Sequence, residues 1–110
     1  MSKVITLNDG NDTYTLEYTL RAATLAEQDG FVLDRLGDSP ATMIPLLFHW
    51  ALYKHHPKVN KMKSLEVYKG IRGKNKLIKA LAEMYSEAVN ALVDTDDEDD
   101  DEGNASWTLA

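Results

Sequence analysis

Apolar side chains recur at three- and four-residue intervals over residues 74–93, and this is the best helical pattern in the chain. Polar residues occupy the opposite side of the helical wheel. The apolar positions are Leu77, Ile78, Leu81, Met84, Tyr85, Ala88, Val89 and Leu92. A broad stripe of this kind predicts one amphipathic helix, Lys74–Val93, whose apolar side packs against a core on its N-terminal side.

Near the N-terminus the pattern changes to strict alternation, which is typical of half-buried strands. Lys3–Leu7 and Thr13–Leu20 alternate β-branched or aromatic residues with polar ones. Asp9 and Gly10 lie between them and can supply the positive φ angles of a hairpin turn. Two strands alone are marginal in water. The hairpin must therefore pack on the helices, or it must extend the sheet of a partner or of a second copy.

Two further helices are predicted between the hairpin and the middle of the chain. Thr24–Glu27 matches a capping box, so a helix should begin there and continue to Leu36, with Gly30 inside it and Gly37 as its C-cap. Ser39 and Pro40 then form a new start signal.

The segment Ala41–Tyr53 is apolar almost all round, which predicts the central buried helix. Pro45 should kink this helix or mark its true beginning, and Pro57 should end it after His55 and His56. Ser64–Tyr68 predicts a short helix that is closed by Gly70 or Gly73.

Charge divides the 110 residues into two parts. Eight of the 18 acidic groups lie between Asp94 and Glu102, and the rest of the chain carries about +2. Like charges repel and nothing in this run can be buried, so we expect it to be disordered. The predicted fold is therefore mainly α: an N-terminal β-hairpin and three to four helices over residues 1–93, followed by an acidic disordered tail over 94–110 that ends in a tryptophan-containing segment.

Catalytic chemistry finds little support in the sequence. There is no cysteine, no phosphate-binding glycine loop and no recognisable nucleophile triad. His49 and His56 are seven residues apart, whereas helical metal pairs usually lie four apart and need a third ligand. The acidic run lacks the glycine position and the second helix of an EF-hand. We therefore expect no enzymatic activity, no cofactor and no metal site. No secretory signal or membrane span is expected either.

Binding functions fit the composition better. Nine basic residues lie between Lys54 and Lys79 with Glu66 as the one opposing charge, so this segment could meet nucleic acid phosphates under regulation by the acidic tail. The same lysines could instead form an ordinary solvent-exposed helix face with no binding role. Trp107 and Leu109 lie beyond a charged tether, where they could anchor another protein or could belong to a mobile terminus.

The layout of the chain resembles the tail assembly chaperones of long-tailed (siphovirus-type) bacteriophages. The shared features are a short hairpin (Val4–Leu7 and Tyr14–Leu20), a small helical body with the apolar helix Met43–Tyr53, an acidic linker, and the terminal segment Asn104–Leu109. The resemblance implies a non-enzymatic factor that acts in the host cytoplasm and is absent from the finished particle. It also implies two partners, the tape measure protein and the tail tube subunit.

An amphipathic helix of the tape measure protein would need an apolar groove on such a chaperone. We expect that surface beside Leu77, Leu81 and Tyr85, or through Trp107 and Leu109. The alternative function is a small nucleic-acid-associated protein that uses residues 54–79.

Overall fold

The computed structural model describes residues 3–92; residues 1–2 and 93–110 lie outside its described part. A two-stranded antiparallel hairpin is followed by four α-helices, with a 3-10 turn at Leu33–Arg35. The elements are β1 (Val4–Asp9), β2 (Asp12–Glu17), α1 (Leu20–Gln28), α2 (Pro40–Ala51), α3 (Lys61–Lys69) and α4 (Lys74–Asn90). The predicted mainly helical fold with an N-terminal hairpin is confirmed, while the expectations for residues 94–110 fall outside the described residues.

The hairpin packs on the helices, as the first of the two alternatives predicts. Ile5 pairs with Leu16 and Leu7 with Tyr14, and these four side chains share the face that contacts the core. Gly10 takes a φ of 63° in the turn, a conformation that glycine adopts without steric cost. Alternation in the sequence thus gave the correct inner face because side chains of a strand point to opposite sides in turn.

α2 lies at the centre of the core, in agreement with its apolar sequence. Leu47, Phe48 and Ala51 on this helix are at most 1% exposed. They contribute to one continuous cluster that also draws on β2, α1, α3 and α4. The buried apolar members are Tyr14, Leu16, Tyr18, Ala22, Ala23, Ala26, Phe31, Met43, Leu47, Phe48, Ala51, Leu52, Val67, Leu81, Met84 and Tyr85.

The predicted start of the first helix is wrong by one turn. α1 begins at Leu20 because the Thr19 side chain accepts a hydrogen bond from the Ala22 N–H at 3.0 Å and caps the helix. Thr24 lies inside the helix, and its hydroxyl donates to the Leu20 carbonyl. β2 is correspondingly shorter than expected and ends at Glu17.

The end of the first helix also differs from the prediction. α1 stops at Gln28, and Gly30 follows it with a φ of 106°, so Gly30 lies outside the helix. Phe31 is then 2% exposed in the core, while the predicted helical stretch up to Leu36 contains the short 3-10 turn. The i, i+3 spacing of Leu33 and Leu36 fits that turn as well as an α-helix.

The three later helices follow the predicted order with shifted ends. α2 begins at Pro40, continues through Pro45 and ends at Ala51, before the histidine pair. Ser39 stands at its N-cap position but makes no side-chain capping hydrogen bond. α3 begins after Asn60, whose side chain accepts from the Lys63 N–H, and is therefore longer than Ser64–Tyr68.

α3 ends at Lys69, with Gly70 as its C-cap. Gly73 precedes α4 with a φ of 72°. α4 ends at Asn90, and Val93 lies outside the described residues.

Polar contacts join the hairpin to the α2–α3 connection, and we call this region the hairpin seam (Tyr14, Thr15, Glu17, Lys54, His55 and His56). The His56 Nε2 atom accepts the Thr15 N–H at 2.9 Å, and the His56 ring meets the edge of the Tyr14 ring at 5.3 Å. The carboxylate of Glu17, which is 5% exposed, lies 2.9 Å from His55 Nε2 and 3.4 Å from Lys54 Nζ. The seam buries the carboxylate of Glu17 and pairs it with Lys54 and His55, whose side chains remain partly exposed.

A second polar junction lies at the end of α1. Asp29 accepts a hydrogen bond from the Trp50 indole N–H at 2.9 Å and pairs with Lys61 Nζ at 2.6 Å. Partial burial raises the pKa of Asp29, but the bonds from Lys61 and Trp50 outweigh it, so the net pKa lies below its ordinary value. Nearby, burial and the charge of Lys61 lower the pKa of His49, which contacts the Ser64 hydroxyl at 3.1 Å.

Candidate partner-binding surface

Two of the sequence-predicted partner-binding residues lie in the core. Leu81 is fully buried and Tyr85 is 5% exposed. The Tyr85 ring meets Phe31 at 4.9 Å and Tyr18 at 5.6 Å, and its hydroxyl donates to Glu27 at 3.3 Å. Burial and the neighbouring Glu27 carboxylate raise the pKa of Tyr85 to about 12. The expected open groove beside Leu81 and Tyr85 is therefore wrong for this structure, because α1 and the residues that follow β2 already fill that side of α4.

The other predicted partner-binding residues do not form a site in the described part of the chain. Leu77 is half-buried and packs against the core cluster. Trp107 and Leu109 lie outside the described residues. A partner-binding role for the two terminal residues stays a prediction.

An apolar concavity lies instead between α2 and α3, and we call it the α2–α3 groove. Its volume is about 400 Å³ and it opens to solvent. Apolar side chains and the stems of two lysines line it. The lining residues are Pro40, Ala41, Ile44, Pro45, Leu65, Tyr68, Lys69 and Lys74.

The α2 wall of the groove results from a helix that is apolar all round. Leu47, Phe48 and Ala51 pack in the core, whereas Ala41, Ile44 and Pro45 line the groove nearer the N-terminus of the helix. Pro45 has no N–H to donate within the helix, and its ring adds to the apolar wall of the groove.

The α3 wall presents Leu65, Tyr68 and Lys69 at the spacing of one helix side. Val67 and Ser64 on the other side are 2% exposed and face the protein interior. The Tyr68 ring contacts Phe48 of the core at 5.3 Å, and burial raises the pKa of its hydroxyl. Tyr68 is therefore held in place by the core while it lines the groove.

Lysines define the edge of the groove. Lys74 Nζ donates to the Ile71 carbonyl at 2.6 Å and lies 5.8 Å from the centre of the Tyr68 ring. Lys69 is exposed at the end of α3. An apolar floor with positive charge at one edge favours a ligand that carries apolar groups beside negative ones.

The rest of the basic segment is less uniform than its sequence indicates. Lys54 contacts Glu17 and Lys61 contacts Asp29, so these two charges take part in contacts within the chain. A second concavity of about 330 Å³ lies beside α4 and the hairpin, and its charged groups also include contacting pairs, Lys3 with Glu87 and Lys54 with Glu17. Within residues 3–92, every buried side-chain nitrogen and oxygen has a hydrogen-bond partner.

The sequence signal that could have located the groove is an apolar residue among lysines on the short helix α3. Leu65 is 36% exposed and lines the groove, whereas the more exposed Met62, at 74%, does not line it. The sequence predicts a short helix over Ser64–Tyr68 and a central buried helix over Ala41–Tyr53, and neither prediction includes an exposed apolar surface. A helix that is apolar all round next to a helix with exposed apolar residues indicates that some of this surface is left uncovered.

Comparison with protein families gives one match. The family described as "Domain of unknown function (DUF5055)" matches residues 1–110, so the chain belongs to that family. No curated protein and no solved structure matches the chain. In the described part of the chain, no helix is both long and apolar enough to cross a membrane.

Proposed function

We propose that this member of the DUF5055 family is a non-enzymatic tail assembly chaperone of a long-tailed bacteriophage. It binds an amphipathic helix of the tape measure protein in the α2–α3 groove and keeps that protein soluble until the tail tube subunits polymerise around it. The single observation that supports this proposal is the groove itself, an apolar surface of Ile44, Pro45, Leu65 and Tyr68 that opens to solvent.

The shape of the groove suits a helix. Two antiparallel or crossing helices form a furrow in which the apolar side of a third helix can lie, with anchors at i, i+3, i+4 and i+7. The lining residues span positions 40–45 of α2 and 65–69 of α3, which is one to two turns of wall on either side. A ruler protein built from long amphipathic helices exposes many such stripes before it is enclosed, and each one is an aggregation hazard.

The charge of the groove edge selects among helices. Lys69 and Lys74 stand beside the apolar floor, so a stripe flanked by Asp or Glu gains attraction, whereas one flanked by Lys or Arg is repelled. We therefore expect the preferred tape measure segments to carry acidic residues next to their apolar positions. The same surface would serve the tail tube subunit only if that subunit offers a similar helix.

Co-expression with the tape measure protein of the same phage tests the proposal. We expect the intact chain to raise the soluble fraction of the tape measure protein and to co-purify with it. Leu65→Glu places a charge in the groove and should abolish both effects, because a carboxylate cannot be buried there under an apolar helix without a large desolvation cost.

Met62→Glu is the matched control. It makes the same kind of change on the same helix, at a more exposed position that does not line the groove. This variant should behave like the intact chain. If neither the tape measure protein nor the tube subunit gains solubility or co-purifies with the intact chain, the chaperone proposal loses its support.

Nucleic acid binding by residues 54–79 is the competing explanation, and the same proteins can test it. Electrostatic binding to phosphates should fall steeply as salt increases, and Leu65→Glu and Met62→Glu should weaken it equally because each adds one negative charge to the basic segment. Duplex binding by the intact chain that is tight, salt-dependent and equally reduced in the two variants would favour this alternative over the chaperone.

A further inference from the structure

The α2–α3 groove has a second candidate occupant within the chain, the segment 94–109. This segment joins a run of eight acidic residues to two apolar ones, Trp107 and Leu109. The groove joins an apolar floor to a basic edge at Lys69 and Lys74. The two therefore match in both polarity and charge sign.

The basic segment and the acidic run also carry similar numbers of opposite charges. The segment from Lys54 to Lys79 carries nine basic residues against Glu66, and the run Asp94–Glu102 carries eight acidic ones. Attraction between such groups acts over a Debye length of about 8 Å at physiological salt. Because both lie in one chain, their encounter does not depend on protein concentration.

The length of the chain permits the contact. Lys74 lies at the start of α4 and lines the groove, and the 17 residues of the helix carry the chain about 25 Å away from it. Trp107 is about fifteen residues beyond Leu92, the last described residue. Fifteen residues reach up to about 50 Å when extended, which exceeds the length of α4. The chain between Leu92 and Trp107 is therefore long enough to return to the groove.

The groove offers a specific contact for a tryptophan. The rings of Pro40, Pro45 and Tyr68 provide flat apolar surface for an indole. Stacking on several rings gives an indole more contact area here than an aliphatic side chain has.

We propose that residues 94–109 fold back on the α2–α3 groove of the same molecule, with Trp107 in the groove and the C-terminal end of the acidic run beside Lys69 and Lys74. The fold-back needs no partner protein. Its consequence, that a partner helix must displace this segment to bind, rests on the proposed function. If the segment covers the groove nine-tenths of the time, the apparent Kd for the partner is about tenfold weaker than that of the uncovered groove.

NMR spectra of the full chain test the fold-back without any partner. The sequence contains two tryptophans, so Trp107→Ala identifies the Trp107 indole N–H signal by its loss. In the intact chain we expect this signal to be shifted from the position of a solvent-exposed indole. Leu65→Glu should return it to that position, whereas Met62→Glu should not. Methyl signals of Ile44 and Leu65 should shift reciprocally in Trp107→Ala, a variant whose change lies outside the described fold.

Three outcomes would overturn the fold-back: an exposed-type indole signal in the intact chain, equal effects of Leu65→Glu and Met62→Glu, or a shift that disappears on dilution. The last would assign the contact to the tail of a second copy. Ala41→Arg fills the groove from an exposed position and replaces Leu65→Glu if that variant fails to fold.

Partner binding then separates the two proposals. A shifted indole signal with no tape measure binding by Trp107→Ala supports the fold-back and contradicts the chaperone function. Tape measure binding with an exposed indole in the intact chain supports the function and contradicts the fold-back. If both proposals hold, Trp107→Ala should bind the tape measure helix about tenfold more tightly than the intact chain.

Discussion

The hairpin seam and the α2–α3 groove lie in regions of opposite chemistry. In the seam, a buried carboxylate and a strand N–H each contact side chains of the same molecule, Glu17 with Lys54 and His55, and Thr15 with His56. In the groove, Ile44, Leu65 and Tyr68 form an apolar surface that opens to solvent. Buried polar groups are costly unless they are paired, so the completed contacts of the seam indicate a structural role. Exposed apolar surface indicates a binding role.

Truncation of the inner face of the hairpin should have the largest effect on stability. Leu16 is fully buried on β2, and Leu16→Ala removes its packing and leaves a cavity. We expect a loss of about 2–5 kcal/mol in the free energy of unfolding, measured by urea denaturation. Val4→Ala, on the same hairpin at a 53% exposed position, is the control and should change stability far less. Similar losses in the two variants would contradict the packed hairpin.

Substitution of His56 in the hairpin seam should have the second-largest effect on stability. His56→Ala removes the acceptor of the Thr15 N–H and the ring contact with Tyr14. An unsatisfied N–H in a partly buried position costs about 1–3 kcal/mol, which denaturation can resolve. His56→Gln keeps a polar side chain that can accept and should recover part of the loss. No loss in His56→Ala would mean that water replaces the histidine.

Stability should also depend on pH through His49. Burial, aided by the charge of Lys61 and opposed by Asp29, lowers its pKa below the ordinary value of 6.5. The folded state therefore takes up this proton later than the unfolded chain as the pH falls. The contribution of His49 is fully present above about 6.5 and is lost as the pH falls from there through the lowered pKa of the folded state.

Thermal unfolding of the intact chain and of His49→Gln between pH 7.5 and 5 measures this dependence. The intact chain should lose stability on acidification more steeply than the variant, whose residue 49 does not titrate. Parallel curves for the two proteins would contradict a lowered pKa.

Groove substitutions should have the smallest effect on stability. Leu65 is 36% exposed, so Leu65→Glu should change the free energy of unfolding by no more than about 0.5 kcal/mol, as Met62→Glu should. The pair would then differ in partner binding alone. A large loss of stability in Leu65→Glu would mean that the groove is part of the core, and it would remove the distinction between the two regions.

The elements that periodicity predicts well are those whose two sides differ. β2 and α4 each have one apolar side, so the sequence identifies both the element and the face that packs. The predicted start of α1 at Thr24 is wrong because Thr19 and Thr24 are both followed by residues that can form a helix. Thr19 is the actual N-cap, since its hydroxyl accepts the Ala22 N–H in the folded chain. A capping box is a local signal, whereas Ala22, Ala23 and Ala26 are buried by contacts from distant elements.

The candidate site was harder to predict than the fold. The apolar stripe of α4 is the clearest in the chain and therefore predicts a partner surface there, but in the folded chain that stripe packs into the core. A binding surface consists of the apolar side chains that remain exposed after the core is complete, such as Ile44 and Leu65. Periodicity cannot distinguish these side chains from those of the core, because the difference depends on which helices pack together.

A titration of the isotope-labelled full chain with helical peptides from the tape measure protein tests the central claim most directly. We expect the methyl signals of Ile44 and Leu65 to shift with increasing peptide, while those of Leu16 in the hairpin and Leu47 in the core stay in place. Leu65→Glu should abolish the shifts and Met62→Glu should preserve them. Peptide binding that shifts the signals of the hairpin seam and leaves the groove unchanged would contradict the account.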